Sequence, residues 1–234
     1  MNNFFVYFAE QFQLNILDAN RWKLLLNGLG MTVTVSIFAI MVGIVLGLLA
    51  VSLKLMNTRF HWVNKICRGA AYVYVDIIRS TPFVIQLFIM YYVIFVSGVS
   101  RPVVAIIAFG INSGAYVSEV FRAGILSIDK GQTEAGLSLG FSKISTMVLI
   151  VLPQAVKNSI PALVNEFVSL IKETAIMGYI GMTDLTRAGS IIISRTYTAA
   201  FPYLTVAVIY YVIIKCLTLV MQRLERRLRR SDLR

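Results

Sequence analysis

Residues 28 to 53 read GLGMTVTVSIFAIMVGIVLGLLAVSL, a run without a single charged side chain. A bilayer hydrocarbon core about 30 Å thick takes about 20 apolar residues per helical crossing, so this stretch crosses a membrane with some tilt. The rest of the chain agrees: of 234 residues, 58% are hydrophobic and 14% charged, with a mean hydropathy of +0.77, whereas soluble domains carry about a quarter charged residues. This length allows several crossings and leaves no room for a separate soluble domain of ordinary size. The expected fold class is an all-α integral membrane protein. Within the run, Gly43 and Gly47 form a small-xxx-small pair that either admits a second helix closely or faces lipid.

Outward from this first span, residues 54 to 68 carry Lys54, Arg59, His61, Lys65 and Arg68 and read as a basic loop. Residues 69 to 97 are mostly apolar, but Asp76, Arg79 and Pro82 interrupt them. A proline removes a helical donor and restricts the residue before it, so a break is expected near Ser80-Thr81-Pro82. Hydropathy alone leaves open one long kinked helix or an interfacial helix followed by a shorter span. Residues 103 to 128 read as the next span, 129 to 145 as a polar connector, 146 to 180 as an apolar stretch holding polar groups, 181 to 202 as a loop and 203 to 222 as the last span. The total is about five crossings. The divisions are an N-terminal extracytoplasmic or interfacial segment over 1–26, a membrane domain over 27–222 and a basic tail over 223–234.

The net charge of +11 would suggest nucleic acid in a soluble protein, but here the cations flank apolar runs. Arg223, Arg226, Arg227, Arg229, Arg230 and Arg234 follow the last span, as in a cytoplasmic tail beside anionic headgroups. Placing the N-terminus outside puts Lys54, Arg59, Lys65, Arg68, Arg122, Lys130, Lys143, Lys157 and the tail inside. Only Arg21, Lys23, Arg101, Arg187 and Arg195 are then outside, an asymmetry that favours N-terminus out and C-terminus in. Cys67 and Cys216 lack a metal-like spacing. The opening MNNFFVYFAEQF has no basic region ahead of an apolar core and does not resemble a cleaved signal peptide. No internal repeat is visible, which disfavours an inverted-repeat secondary transporter.

The connector holds Gly131-Gln132-Thr133-Glu134-Ala135-Gly136, then Gly140, then Ile150, Leu152 and Pro153. This resembles the cytoplasmic signature loop of ABC importer permeases: Glu-Ala-Ala, three residues, Gly, nine residues, Ile, one residue, Leu-Pro. Gly136 is the one departure, standing where the pattern has alanine. Arg79-Ser80-Thr81-Pro82 with Gln86 is similar to the Arg-Gly-Thr-Pro and Gln element of the polar amino-acid branch. Ala115-Tyr116 with Glu119, Arg122, Gly124 and Ile125 is similar to its Ala-Tyr, Glu, Arg-x-Gly-Ile element, and Leu152-Pro153-Gln154-Ala155, Pro161, Asn165 and Lys172-Glu173-Thr174 to the segment after the loop. The resemblance covers roughly residues 27 to 222. It implies a type I ABC importer permease in a bacterial plasma membrane. Its implied partners are two ATPase subunits, a second permease, identical or similar, and an extracytoplasmic binding protein for amino acids. It also implies that the connector forms a short coupling helix docking on the ATPase, with Gly131, Glu134, Ala135, Gly136 and Gly140 as the coupling residues. Glu134 offers a carboxylate near a helix N-terminus or to a basic partner, and the glycines permit close approach and a sharp turn. No G-x-x-x-x-G-K-[ST] run occurs, so nucleotide phosphates have no P-loop here and hydrolysis falls to a partner. Neither a cofactor nor a metal site is expected, and no catalytic set converges around the single His61.

Helical geometry marks a candidate substrate path. At about 100° per residue, Asn165, Glu166, Ser169, Lys172 and Glu173 share an arc of about 120°, opposite Leu163, Val164, Phe167, Val168, Leu170 and Ile171. In the preceding span Asn112, Tyr116 and Glu119 lie within about 60° of one another. Intramembrane charge is costly enough to mark function by default. Glu166, with Asn112, Tyr116, Asn165 and Ser169 around it, is therefore expected to line the path, along with Glu119 and Glu173. A purely structural network is the competing reading, with Lys172 held by Glu173 or Glu119, or Glu119 held by Arg122. Buried carboxylates also suit a carrier that works without ATP, and a polar seam suits a structural subunit, but neither accounts for the connector. Cationic, polar neutral and cystine-like amino acids all remain open as cargo.

Overall fold

The computed structural model describes residues 2 to 56, 59 to 96 and 98 to 231, with side chains described between residues 5 and 223. The tail arginines beyond Arg223 therefore lie outside the described side chains. The chain begins with α1 (Asn2–Phe12), and a turn with Ala19 and Asn20 at φ 49° and 54° leads into the long α2 (Trp22–Leu55). Lys54 lies in the last turn of α2 rather than in a loop. Most of the expected basic loop is in fact the start of α3 (His61–Ser80).

The predicted break occurs at the proline. Thr81, which precedes Pro82, is extended (φ −116°, ψ 143°), as a pre-proline residue should be. α4 (Phe83–Phe88) and a wider π-helical turn over Ile89–Ile94 then leave at 108° to α3. Backbone groups freed in a membrane need new partners, and Gln86 supplies them. Its Nε2 donates to the Ile78 carbonyl at 2.7 Å and to Thr81 O and Oγ1 at 3.1 and 2.8 Å.

α5 (Arg101–Leu126) starts with Pro102 in its first turn, where a missing N–H costs nothing. It is the most enclosed of the long helices. Its main neighbour is α2, and the Gly43 and Gly47 pair faces it rather than lipid. A Cβ on Gly47 would sit 2.5 Å from Val117 Cγ1, and one on Gly114 only 2.8 Å from Leu46 Cβ. The backbones meet because both sides are small.

The connector folds into α6 (Lys130–Ser138) and the short α7 (Lys143–Thr146). A π-helical turn over Met147–Val151 leads into α8 (Leu152–Glu173), followed by a tight turn over Thr174–Ile180. The expected loop over 181 to 202 contains α9 (Leu185–Thr196), N-capped by Asp184, whose Oδ2 accepts from Thr186 N at 2.8 Å. Hydropathy missed α9 because it is short, with its apolar side Leu185, Ala188 and Ile192 buried against α2 and α10. Finally α10 (Ala200–Ser231) includes the last span. Among the described residues, four helical stretches are long and apolar enough to cross a membrane, and the bent α3–α4 pair makes the total up to five.

Candidate functional site

A polar cleft of about 610 Å³ opens between α3 and α5, lined by Lys54, Tyr72, Val75, Asp76, Arg79, Ser80, Tyr116, Glu119 and Arg122. The helix periods place these groups. Tyr72, Asp76 and Arg79 recur at i, i+4 and i+7 on α3, and Tyr116, Glu119 and Arg122 recur every three residues on α5, so two polar faces meet.

Glu119 organises one end of the cleft. Lys54 Nζ lies 2.5 Å from Glu119 Oε1, and Arg122 Nη2 and Nε donate to Oε2 at 2.8 and 2.9 Å. Both carboxylate oxygens are thus committed. The Lys54 side chain is 1% exposed and Glu119 21%, so the ammonium depends on this partner and on the Tyr72 ring, whose centroid is 5.0 Å away. Farther along, Arg79 lies over the Tyr116 ring at 5.3 Å. Neither Asp76 nor Arg79 makes a hydrogen bond or ion pair among the described residues.

The other expected path residues divide between two further places. Asn112 donates to Gln86 Oε1 at 3.0 Å and so braces the α3–α4 break. Glu166 reaches α5 through Ser113, whose hydroxyl donates to Oε1 at 2.8 Å. Asn165 instead lines a cavity of about 150 Å³ between α8 and α10 with Thr218 and Gln222. Ser169 is half-buried on α8, and Lys172 and Glu173 are exposed at its end, while Leu170 and Ile171 turn inward. The structure therefore gathers Tyr116 and Glu119 into the cleft and sets Asn112, Asn165, Glu166, Ser169 and Glu173 outside its lining. Lys54 was missed because it adjoins a basic stretch. Asp76 carried the same i, i+4, i+7 signal that marked Asn112, Tyr116 and Glu119.

Three residues past α5, Asp129 caps α6 by accepting from Gly131 N at 2.6 Å. The acid at the helix N-terminus is thus Asp129, and Glu134 stands exposed in the middle of α6. Gly140 takes φ +84°, and Phe141 N donates to the Gly136 carbonyl at 3.1 Å, the bond that closes a left-handed helix stop. A Cβ on Gly136 would lie 2.7 Å from Thr146 Cγ2 and 2.9 Å from Ile150 Cδ1, so glycine lets α6 rest on the following helical turn. Ala135 is exposed beside Glu134, and Leu139 (77%) and Ile144 (77%) project from the same hairpin. Asp129, Lys130, Glu134 and Lys143 are exposed around them, so the hairpin surface mixes both signs of charge with apolar side chains.

Comparison with known proteins shows the family of the chain. A putative glutamine transport system permease of Rickettsia felis is 39% identical over 207 residues, covering 87% of this chain and 92% of its own. The arginine transport system permease ArtQ of Bacillus subtilis is 36% identical over 89% and 94% of the two chains, and the glutamine permease GlnP of Escherichia coli is 36% identical over 88% and 93%. Among solved structures, an amino acid ABC transporter crystallised with histidines superposes with a TM-score of 0.81 at 37% identity, covering 88% of this chain and 94% of that one. The MetNI methionine ABC transporter, at 21% identity and a TM-score of 0.75, shares the fold. With residues 43–230 also matching the model for this family, the chain belongs to the binding-protein-dependent transport system inner membrane components.

Proposed function

We propose that this permease takes up polar amino acids in a complex with a pair of ABC ATPase subunits, a second permease subunit and an extracytoplasmic amino-acid-binding protein, and that it catalyses no reaction itself. One observation carries the reading: α5 forms a wall of the charged cleft with Tyr116, Glu119 and Arg122, and three residues after its end it passes directly into α6. A push on α6 from an ATPase is passed through the short link over 127–129 to the helix that shapes the cleft. Glu134, Leu139 and Ile144 form the docking surface, and the Gly140 turn sets its angle. The cation asymmetry supports N-terminus out and C-terminus cytoplasmic, with the α6–α7 hairpin inside.

Reconstitution with cognate ATPase and binding protein tests this. Uptake of L-glutamine is expected to need ATP and binding protein, and Glu134→Ala is expected to lower uptake several-fold while the permease still assembles. Uptake driven by a proton gradient alone would instead favour an ATP-independent carrier. External labelling of a cysteine placed at 131–141 in intact cells would overturn the orientation.

A further inference from the structure

Relatives named for glutamine match at 36 and 39% identity and one named for arginine at 36%, a spread too narrow to decide the charge of the cargo's side chain. The cleft carries information on that point. Its lining holds three cations, Lys54, Arg79 and Arg122, and two anions, Asp76 and Glu119. Glu119 already accepts from Lys54 with one oxygen and from Arg122 with the other. Among the described residues, what remains uncommitted in the lining is one carboxylate, Asp76, and one guanidinium without a carboxylate, Arg79, three residues apart on one face of α3.

An amino acid brings one ammonium and one carboxylate joined through a single carbon. Asp76 and Arg79 are both exposed on the cleft wall and so open to a ligand, and a zwitterion satisfies the two opposite charges at once. A cationic side chain would need a second free carboxylate, which the lining does not provide. It would also meet like charge along α3: at about 100° per residue His61, Lys65, Arg68, Tyr72, Asp76 and Arg79 fall within an arc of about 80°. Asp76 is the only anion in that stripe, and no acidic residue lies between Asp18 and Asp76 in the sequence. Glu166 is no substitute, since it is bonded to Ser113 outside the lining.

Building on the uptake reading above, we propose that the α3–α5 cleft is a zwitterion site in which Asp76 holds the ammonium and Arg79 the carboxylate of an amino acid whose side chain carries no positive charge. Neutral and acidic side chains are admitted, because the cleft's surplus charge is positive.

The test uses the assembled permease–ATPase complex in lipid nanodiscs without binding protein, so that selection by the membrane subunit is read alone. Binding of radiolabelled L-glutamine is competed with unlabelled L-glutamine, L-glutamate, L-arginine and L-lysine. Like-charge juxtaposition is expected to make L-arginine and L-lysine weaker competitors by on the order of a hundredfold. Asp76→Asn and Arg79→Gln should each weaken L-glutamine by roughly tenfold or more. N-acetyl-L-glutamine, which lacks the ammonium, should bind weakly and be indifferent to Asp76→Asn. Competition by L-arginine equal to that of L-glutamine, unchanged affinity in both variants, or no binding of any of the four amino acids to the wild-type complex would each overturn the proposal. Native mass spectrometry of the variants covers the remaining case: if the permease pair dissociates while intact pairs bind normally, Asp76 and Arg79 are intersubunit contacts and the site is refuted. ATP-driven, binding-protein-dependent uptake in proteoliposomes is read separately. If it takes place but favours L-arginine, the zwitterion site fails and the importer reading stands; if it is absent for every amino acid, the importer reading itself fails.

Discussion

α5 meets two neighbours in opposite ways. Against α2 it presents Gly110, Gly114 and Val117, and the two backbones come so close that a single methyl finds no space. Against α3 it presents Tyr116, Glu119 and Arg122, long polar groups that hold a cleft open between the helices. Lipid gives little hydrophobic reason for helices to associate, so the α2 seam relies on close packing, which has one solution. The α3 face relies on ion pairs and a cation over a ring, contacts that reach several ångströms and survive small displacements. One helix thus joins a rigid side to an adjustable one, and the proposed zwitterion site lies on the adjustable side.

The largest effect is expected from forcing the seam. Gly114→Leu places a branched side chain where a Cβ alone lies 2.7 Å from Tyr74 Oη and 2.8 Å from Leu46 Cβ. The loss should reach the upper end of the about 1–3 kcal/mol typical of overpacking, seen as poor recovery of assembled permease and a lower melting temperature. Gly30→Leu is the control, because nothing lies within 4 Å of that Cβ; equal damage from both would break the comparison.

Next comes the cleft's ion group. Lys54→Met leaves Glu119 with Arg122 alone and should cost about 1–3 kcal/mol, with thermal melting in nanodiscs as the readout. Lys54→Met combined with Glu119→Gln should cost less than the sum of the single changes, because the charges act as one unit. Strict additivity would show that the pair contributes nothing.

The smallest effect sharpens the boundary between the two regions. Ser113 lies on the seam, 2.9 Å from a Cβ on Gly43, yet its hydroxyl reaches Glu166 on α8. Ser113→Ala keeps the seam's volume and removes one hydrogen bond, so about 1 kcal/mol is expected, with uptake reduced only modestly. A loss as large as that of Gly114→Leu would mean that the α5–α8 contact, and not the seam, anchors α5.

Much of this was legible along the chain because it is set by composition and local geometry. An uncharged run such as 28–53 has no stable place outside a bilayer or a core, a proline at 82 cannot continue the helix before it, and a glycine at 140 permits the left-handed stop that ends α6. The signature spacing from Glu134 to Pro153 pointed to the family without any coordinates. Partner choice was not legible, because it depends on which faces of distant helices meet. The arc holding Asn112, Tyr116 and Glu119 was visible, but its members turn to Gln86, to Arg79 and to Lys54 with Arg122. Lys54 read as one more cation in a basic loop until α2 carried it 65 positions away in sequence to Glu119. Periodicity reports which residues share a side of one helix, and only the packed bundle determines what that side faces, so the chain's class was written in its sequence and its cleft in its tertiary structure.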